Sequence, residues 1–415
     1  MKQLSGSLVQ PDGILSPGTL TIENDRIVDI RSGVGPSPSS GHLVVPGFID
    51  LHVHGVLGID TLDPGEAIAS MAAHLPRYGV TAFCPTTVAC APGPLGAVLE
   101  QVRRAREVPR ARSARVLPAH LESNFINAEY RGAQPASCLR SPRAAYERRP
   151  GGRARSAARV DIDADFSACS NRSDDFGAGD ILGELERRPS EVGIFTLAPE
   201  LEGGLDLIEW LAGRGYRVSL GHSAASYDIA RAAISAGARH ATHLFNRMPP
   251  LAHRAPGLVG AILESDEVLA ELICDGFHVH PSLLRTAIRS KGPSRVVAIT
   301  DGTALSGLGA GARARIGGQD ITSTDGTARL SDGTLAGSVL TMDRAFKTLI
   351  ESVGLPIEDA VRLCATTAAR ELGLTGQGVL AVDALADVAV LDKNLTVVET
   401  YIGGELAYSR EKAFT

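Results

Sequence analysis

Residues 44–55 read Val-Val-Pro-Gly-Phe-Ile-Asp-Leu-His-Val-His-Gly, an apolar run that ends in two histidines one residue apart. Its length and composition predict a buried strand. Because side chains alternate between the two faces of a strand, His52 and His54 are expected to point the same way. Two imidazoles on one face can share a divalent metal ion. Two ordinary core histidines explain the pattern equally well when it is taken alone.

Composition narrows the class of protein. The chain has 415 residues, of which 44% are hydrophobic and 21% charged, enough for one large domain with a smaller one. No run approaches the roughly 18 apolar residues of a membrane span, and the first residues lack the apolar core of a signal peptide. The six cysteines include no Cys-x-x-Cys pair, which favours reduced thiols. We therefore expect a soluble cytoplasmic protein, and the net charge of −6 indicates no nucleic-acid partner.

The middle of the chain alternates between strand-length and helix-length segments. With the strand at His52, eight strand candidates occur, and the other seven are Thr81–Pro85, Ala114–His120, Ile194–Ala198, Arg217–His222, His240–Leu244, Leu269–Asp275 and Arg295–Asp301. This alternation predicts a parallel (β/α)8 barrel over residues 46–372.

The two chain ends have a different hydrophobic pattern from the middle of the chain. Residues 1–45 and 373–415 carry short alternating segments broken by Asp-Gly and Gly-Gly turns. That pattern is typical of antiparallel strands, so we expect the two termini to form one small β-sandwich domain.

One segment fits neither pattern. Residues 139–179 form an insertion that is rich in arginine and then in serine and aspartate, with no apolar period, and its arginines include Arg140, Arg143, Arg148, Arg149, Arg153 and Arg155. The favoured interpretation is a mobile insertion on the barrel rim. The alternative is a basic lid over an anionic substrate.

Polar residues recur where the predicted barrel strands end, the edge at which such barrels place their chemistry. The candidates are His52, His54, Glu122, His222, His243 and Asp301. Four histidines and two carboxylates suit zinc, iron(II) or a similar metal ion, and a carboxylate between two histidine groups could bridge two ions. Each residue, taken alone, has a structural explanation as a helix cap, a charge on the barrel rim or a turn residue. Those explanations do not account for the recurrence, so the pattern favours a hydrolytic metal centre.

Several motifs, spread in order along almost the whole chain, resemble those of a known protein family. They are Pro46-Gly-Phe-Ile-Asp-Leu-His-Val-His-Gly, His120-Leu-Glu, Thr196-Leu-Ala-Pro-Glu, Gly221-His-Ser, Thr242-His-Leu-Phe-Asn-Arg-Met-Pro-Pro-Leu, His253-Arg-Ala-Pro-Gly, Asp275-Gly-Phe-His, Thr300-Asp-Gly and Leu335-Ala-Gly-Ser. Together they resemble the N-acetylglucosamine-6-phosphate deacetylase family of the amidohydrolase superfamily. The stretch from Thr242 is the most specific of them.

The resemblance implies roles for individual residues. Glu122, His222 and His243 would hold the main metal ion, and His52 and His54, with Glu122 and Asp301, would hold a second. Asp301 would be the general base for a water activated by the metal. One or two divalent ions are implied, zinc first and Fe2+, Mn2+ or Co2+ as alternatives, with no organic cofactor.

The resemblance also implies how the substrate, an N-acetylated amino-sugar phosphate, is bound. Asn246, the backbone at Arg247, His278 and Arg254 would bind the sugar phosphate. In this family the arginine of the His-Arg-x-Pro-Gly motif reaches across from a neighbouring subunit. A homodimer is therefore implied, with Arg254 completing the neighbour's site.

The chain departs from the family pattern around the substrate. The family's Gly-Pro-Phe becomes Ser123-Asn124-Phe125, its Gly-Ala-His becomes Gly132-Ala133-Gln134, its Asn-Ala-Met becomes Asn246-Arg247-Met248, and its Asp-Ala-Met becomes Asp301-Gly302-Thr303. The resemblance implies that the replaced histidine stabilises the oxyanion, and Gln134 offers only a neutral hydrogen bond in its place. We hypothesise that the metal hydrolase is kept and that the accepted N-acyl compound differs.

Three functions are compatible with the sequence. The first is a deacetylase for N-acetylglucosamine 6-phosphate or a close amino-sugar analogue. The second is an amidohydrolase for another N-acyl amine or a cyclic amide, which the retention of Arg254 and His278 disfavours. The third is a non-catalytic metal-bound binding protein, which the retention of Asp301 disfavours.

Overall fold

The computed structural model describes residues 1–33, 41–146 and 176–411. The strands in chain order are β1 (Lys2–Gln10), β2 (Gly13–Glu23), β3 (Arg26–Ser32), β4 (Leu43–Pro46), β5 (Phe48–Val53), β6 (Gly55–Val56), β7 (Ile59–Asp60), β8 (Val80–Thr87), β9 (Arg115–Val116), β10 (Ala119–Glu122), β11 (Val192–Leu197), β12 (Arg217–Leu220), β13 (His240–Ala241), β14 (Leu269–Ile273), β15 (Val296–Ile299), β16 (Arg313–Ile316), β17 (Gln319–Thr324), β18 (Thr327–Arg329), β19 (Val388–Leu391), β20 (Val397–Ile402) and β21 (Glu405–Ser409).

The α-helices in chain order are α1 (Ala67–His74), α2 (Pro92–Glu107), α3 (Arg143–Tyr146), α4 (Ala178–Arg187), α5 (Gly204–Ala212), α6 (Tyr227–Ser235), α7 (Gly257–Glu264), α8 (Pro281–Lys291), α9 (Met342–Glu351), α10 (Ile357–Val361) and α11 (Thr367–Glu371). A π-helical turn, Arg362–Thr366, joins the last two.

Eight parallel strands form the main sheet in the order β5-β8-β10-β11-β12-β13-β14-β15, and helices separate most consecutive strands. The first and last strands meet, because the Asp301 amide donates to the His52 carbonyl at 2.9 Å and Val53 bridges to Gly302. The predicted (β/α)8 barrel is confirmed. Its strands are buried on both faces, as in other parallel barrels, and β5 is buried throughout.

The two chain ends form one seven-stranded sheet in the order β21-β20-β19-β4-β1-β2-β3. All neighbours are antiparallel except β1 and β4, which pair in parallel. A small β domain built from both termini was predicted, and the structure confirms it. Because β4 leads into β5 at Pro46–Phe48, this sheet anchors the start of the barrel.

A three-stranded antiparallel sheet, β16-β17-β18, follows the last barrel strand and was not predicted. Its core contains Ile316, Ile321 and Ala328, packed with Val88 and Leu305 beside the barrel. The short strands are joined by Gly317-Gly318 and Asp325-Gly326, dipeptides that are typical of tight hairpin turns.

The predicted insertion at 139–179 is described only at its two ends. Arg140 joins them, because its guanidinium donates to the Phe176 carbonyl at 2.8 Å and to the Ser137 carbonyl at 2.6 Å. Helix α4 begins inside the predicted segment, at Ala178. Most of the arginines on which the lid hypothesis depends, from Arg148 to Arg155, lie outside the described residues. In the part of the chain that the structure describes, no helix has the length and apolar content needed to cross a membrane.

Gly55 offers a test of how tightly the barrel entrance is packed. A Cβ at this position would lie 2.6 Å from the Ala304 amide nitrogen and even nearer the Ile59 carbonyl, both backbone atoms. We expect Gly55→Ala to lower the free energy of unfolding by about 1–3 kcal/mol, measured from urea denaturation. Gly93→Ala is the control, because no atom lies within 4 Å of its Cβ position. Equal stability of the two variants would contradict this packing argument.

Candidate metal centre

The six predicted ligands lie together at the carboxyl-terminal mouth of the barrel. His52 and His54 belong to or follow β5, Glu122 ends β10, and the other three follow β12, β13 and β15. All six are at most 7% exposed. Their recurrence at strand ends therefore corresponds to one buried cluster, as parallel-barrel geometry requires.

Three of these residues have an unusual backbone. The φ angles of His222, His243 and Asp301 are 48°, 31° and 47°, in the left-handed region that residues with a Cβ rarely adopt. Each turns the chain sharply just after a strand, which directs its side chain over the barrel mouth. Strained backbone at several convergent polar residues is typical of a functional site.

The first group of donors is Glu122, His222 and His243. The Glu122 Oε1 atom lies 3.1 Å from His222 Nε2 and 2.9 Å from His243 Nε2, and the two nitrogens are 3.0 Å apart. Two donors roughly 2.0–2.1 Å from one tetrahedral ion would be roughly 3.3 Å apart. The three atoms are thus arranged as ligands of a common ion would be.

The second group is His52, His54 and Asp301. Asp301 Oδ1 lies 3.3 Å from His52 Nε2 and 3.1 Å from His54 Nε2. Glu122 stands between the groups, with Oε1 at 3.6 Å from His52 Nε2 and Oε2 at 3.6 Å from His54 Nε2. A carboxylate in this position could serve either group or both.

The donor atoms are arranged to bind a cation and not to hydrogen-bond to one another. Two pairs of imidazole nitrogens face each other, His222 with His243 at 3.0 Å and His52 with His54 at 3.2 Å. Facing nitrogens repel unless a proton or a cation lies between them. Imidazole nitrogen and carboxylate oxygen suit borderline divalent ions, so the set fits a metal ion of the zinc or iron(II) kind.

The charges in the cluster also favour a bound cation. Burial alone would raise the pKa of Glu122 and of Asp301, but His222 and His243 hold the pKa of Glu122 well below its usual range, and His52 and His54 do the same for Asp301. Conversely, burial opposes the charged form of His52, and Glu271 and Asp301 raise its pKa despite that. The carboxylates are therefore ionised at neutral pH and attract positive charge.

Glu271 lies beneath the cluster and was missed at the sequence level. This fully buried carboxylate on β14 contacts His52 Nδ1 at 3.0 Å and His240 Nε2 at 2.9 Å, and it accepts from the His243 amide at 3.2 Å. It touches one member of each donor group. Such partners fix the orientation and tautomer of metal-binding histidines. An acidic residue in the middle of an apolar strand was the available signal.

Two other polar residues of the motifs are buried and pair with neighbouring strands. His120 contacts the Thr196 hydroxyl at 2.8 Å, and burial lowers its pKa to about 3, so its ring is neutral. Asp50 accepts from the Thr300 hydroxyl at 2.6 Å and thereby ties β5 to the end of β15. The ring orientation of His222 is set separately, by the Tyr130 carbonyl at 2.7 Å from Nδ1.

A cavity of about 380 Å³ opens beside the cluster. Its walls include four of the predicted substrate-binding residues, which are Gln134, Asn246, Arg247 and His278. Asp275 holds the ring of His278 at 2.7 Å. Arg254, the fifth, is exposed and does not line this cavity in its own chain.

The departures from the family pattern divide into two kinds. Asn124 donates to the Cys90 and Cys138 carbonyls, Ser123 donates to the Thr196 carbonyl, and Thr303 donates to the Ser338 carbonyl, so these three brace the backbone outside the cavity. Gln134 and Arg247 do line it. The Gln134 amide nitrogen donates to Glu122, and its carbonyl accepts from the Ala89 amide at 2.7 Å.

Comparisons with known proteins show what the chain is similar to. Residues 183–407 match the amidohydrolase family model. N-acetylglucosamine-6-phosphate deacetylase of Rattus norvegicus is 36% identical, over 96% of this chain and 90% of the relative. N-acetylgalactosamine-6-phosphate deacetylase of Escherichia coli O157:H7 is 32% identical, over 92% and 94%. A solved structure of N-acetyl-D-glucosamine-6-phosphate deacetylase from Mycobacterium smegmatis, in complex with N-acetyl-D-glucosamine-6-phosphate, superposes with a TM-score of 0.83 at 30% identity, over 98% of this chain and 99% of that one.

The position of Glu271 predicts how its loss would act. We expect Glu271→Gln to weaken divalent-metal affinity about 10–100-fold, because an amide cannot balance the charge of His52 and replaces one of the two acceptor oxygens of Glu271 with a donor. The measurement is competition with a chromophoric chelator. Glu351→Gln is the control, since this exposed residue pairs with Lys347 on the surface of α9. Metal affinity equal to that of the control would show that Glu271 does not support the donors.

Proposed function

The chain belongs to the N-acetylglucosamine-6-phosphate deacetylases of the amidohydrolase family, and from this premise we propose that it hydrolyses the N-acetyl group of N-acetylglucosamine 6-phosphate. The products are glucosamine 6-phosphate and acetate. The observation that carries the proposal is the convergence of Glu122, His222 and His243 on one point beside a cavity lined by the predicted sugar-binding residues.

A divalent metal ion is the implied cofactor. Glu122, His222 and His243 would hold the main ion, and His52, His54 and Asp301 a second, with zinc the first choice for a set of imidazole and carboxylate ligands. Such an ion supplies Lewis-acid activation of the amide carbonyl and of the attacking water.

Asp301 is the proton carrier in this proposal. Its ionised carboxylate lies at the cavity wall and can accept a proton from the attacking water. It then returns the proton to the amide nitrogen as the C–N bond breaks, so that the amine leaves neutral. Positioned proton transfer of this kind contributes about 10²–10⁴ in rate.

The other cavity residues bind and orient the substrate. Asn246, the Arg247 backbone and His278 would hold the sugar phosphate, with Arg254 supplied by a second copy of the chain. Gln134 would donate to the oxyanion, as a neutral group in place of the family's histidine. The exposure of Arg254 outside its own cavity supports its placement in a neighbour's site.

A second candidate substrate is N-acetylgalactosamine 6-phosphate. The Escherichia coli relative, 32% identical, carries that activity in its name. The two sugars differ only in configuration at C4, and both have a 6-phosphate. Comparing kcat/KM for the two isomers would decide between them, and a panel of unrelated N-acyl amines would test the broader amidohydrolase reading.

Removal of the proton carrier tests the chemistry. We expect Asp301→Asn to reduce kcat on N-acetylglucosamine 6-phosphate by at least about 10²-fold, because an amide cannot accept the proton. Dialysis against a chelator should abolish wild-type activity, and Zn2+ should restore it. Asp228→Asn, at the exposed start of α6, serves as the control variant. Activity that survives either treatment would contradict a metal-dependent deacetylase using Asp301.

Mixing two inactive variants tests the homodimer. Arg254→Ala and Asp301→Asn should each be impaired alone, whereas a heterodimer contains one pocket with intact Asp301 and an intact Arg254 from its neighbour. After unfolding and joint refolding, activity should recover to about a quarter of that of the wild type. Light scattering would report the mass of the assembly. A monomer, or a mixture no more active than its components, would rule out the shared site.

A further inference from the structure

The Arg247 side chain occupies an unusual position in the cavity. It is half-buried in the cavity wall, and its Nη2 donates a long hydrogen bond, 3.4 Å, to the Leu335 carbonyl. Within residues 1–33, 41–146 and 176–411, no carboxylate lies within ion-pair distance of this guanidinium. Of two other partly buried arginines, Arg115 pairs with Asp387 at 2.9 Å, and Arg285 donates to the Val353 carbonyl at 2.6 Å, so both have a closer partner than Arg247 has.

A half-buried cation without a counter-charge is costly. Burial lowers the pKa of Arg247, with no carboxylate opposing the effect. Proteins seldom retain such a group unless an anion pairs with it. An anionic ligand in the cavity would supply the missing charge, and a guanidinium can bind a phosphate through two parallel hydrogen bonds.

The facing wall is shaped to admit this side chain. Gly132 packs against the guanidinium, and a Cβ there would lie 2.6 Å from Arg247 Nε. Gly132 also has a φ of 60°, which favours glycine. Two residues later in the same loop, Gln134 contacts Glu122 of the metal centre. The guanidinium therefore borders the same cavity as the reacting end of the substrate, from a position where the family usually has alanine.

We propose that the Arg247 guanidinium binds the 6-phosphate of the substrate within its own chain. The inference rests on the proposed function and deepens it. Each cavity then contains a cation that does not come from the neighbouring subunit, and phosphate recognition is divided between Arg247 in one chain and Arg254 of the other. Arg247 is thus a specificity-determining residue for phosphorylated over unphosphorylated N-acetylhexosamines.

The test compares N-acetylglucosamine 6-phosphate with N-acetylglucosamine. We expect Arg247→Ala and Arg247→Gln to raise KM for the phosphorylated sugar about 10–100-fold, the range for losing hydrogen bonds to a charged group, with kcat changed less than about threefold. The kcat/KM for the unphosphorylated sugar should stay within about twofold of the wild type, and Arg247→Lys should be intermediate. Inhibition by inorganic phosphate should weaken in parallel. Arg131→Ala is the matched control, because Arg131 is exposed on the same loop, donates to the Ala128 carbonyl and does not line the cavity.

The remaining outcomes overturn the inference. An unchanged KM for the phosphorylated sugar would show that the guanidinium does not bind phosphate, while wild-type turnover would leave the proposed function intact. Equal losses on both sugars, or a fall in kcat alone, would assign Arg247 to bracing the cavity wall. A wild-type protein inactive on both phosphorylated hexosamines would overturn the proposed function and this inference with it.

Discussion

The seam between the first and last barrel strands is the constraint on which the site depends. Asp50 accepts hydrogen bonds from Thr300, and the Asp301 amide donates to the His52 carbonyl, so the two strands are joined just below the mouth. Because His52 and Asp301 take part in this seam through their backbones, their side chains reach the cluster as a consequence of barrel closure. The second donor group exists only when the barrel is closed.

Charge is arranged in layers around that seam. Glu271 lies below the cluster and balances buried histidine rings from two strands, while Glu122 and Asp301 lie within it. Burying so many ionisable groups is unfavourable unless each finds a partner of opposite charge. A divalent cation at the mouth would complete the balance, and the strained backbones of His222 and His243 are kept in place by the packed strands beneath them.

The chemical and recognition halves of the site differ in how far they depart from the family pattern. All six candidate ligands are retained, whereas Arg247 alters the cavity wall proposed to bind the sugar, and Gln134 stands beside Glu122 where the family has the histidine of the oxyanion. A catalytic centre can keep its chemistry while its recognition groups change, because each half touches a different part of the substrate. The guanidinium of Arg247, which has no carboxylate partner among the described residues, is proposed to bind an anionic group on the sugar.

The sequence by itself determined the barrel, the small domain from both termini and the six ligand candidates. Strand period, turn residues and polar strand ends are local features, and closed parallel barrels bring strand ends together by geometry. Only the tertiary structure showed that Glu271 contacts two candidate ligands, that His120 is a neutral core residue, and that Arg247 rather than Arg254 lines the cavity of its own chain. Those facts depend on which side chains from distant strands meet. Strand register and the paths of the loops decide which side chains meet, and no local sequence pattern encodes them.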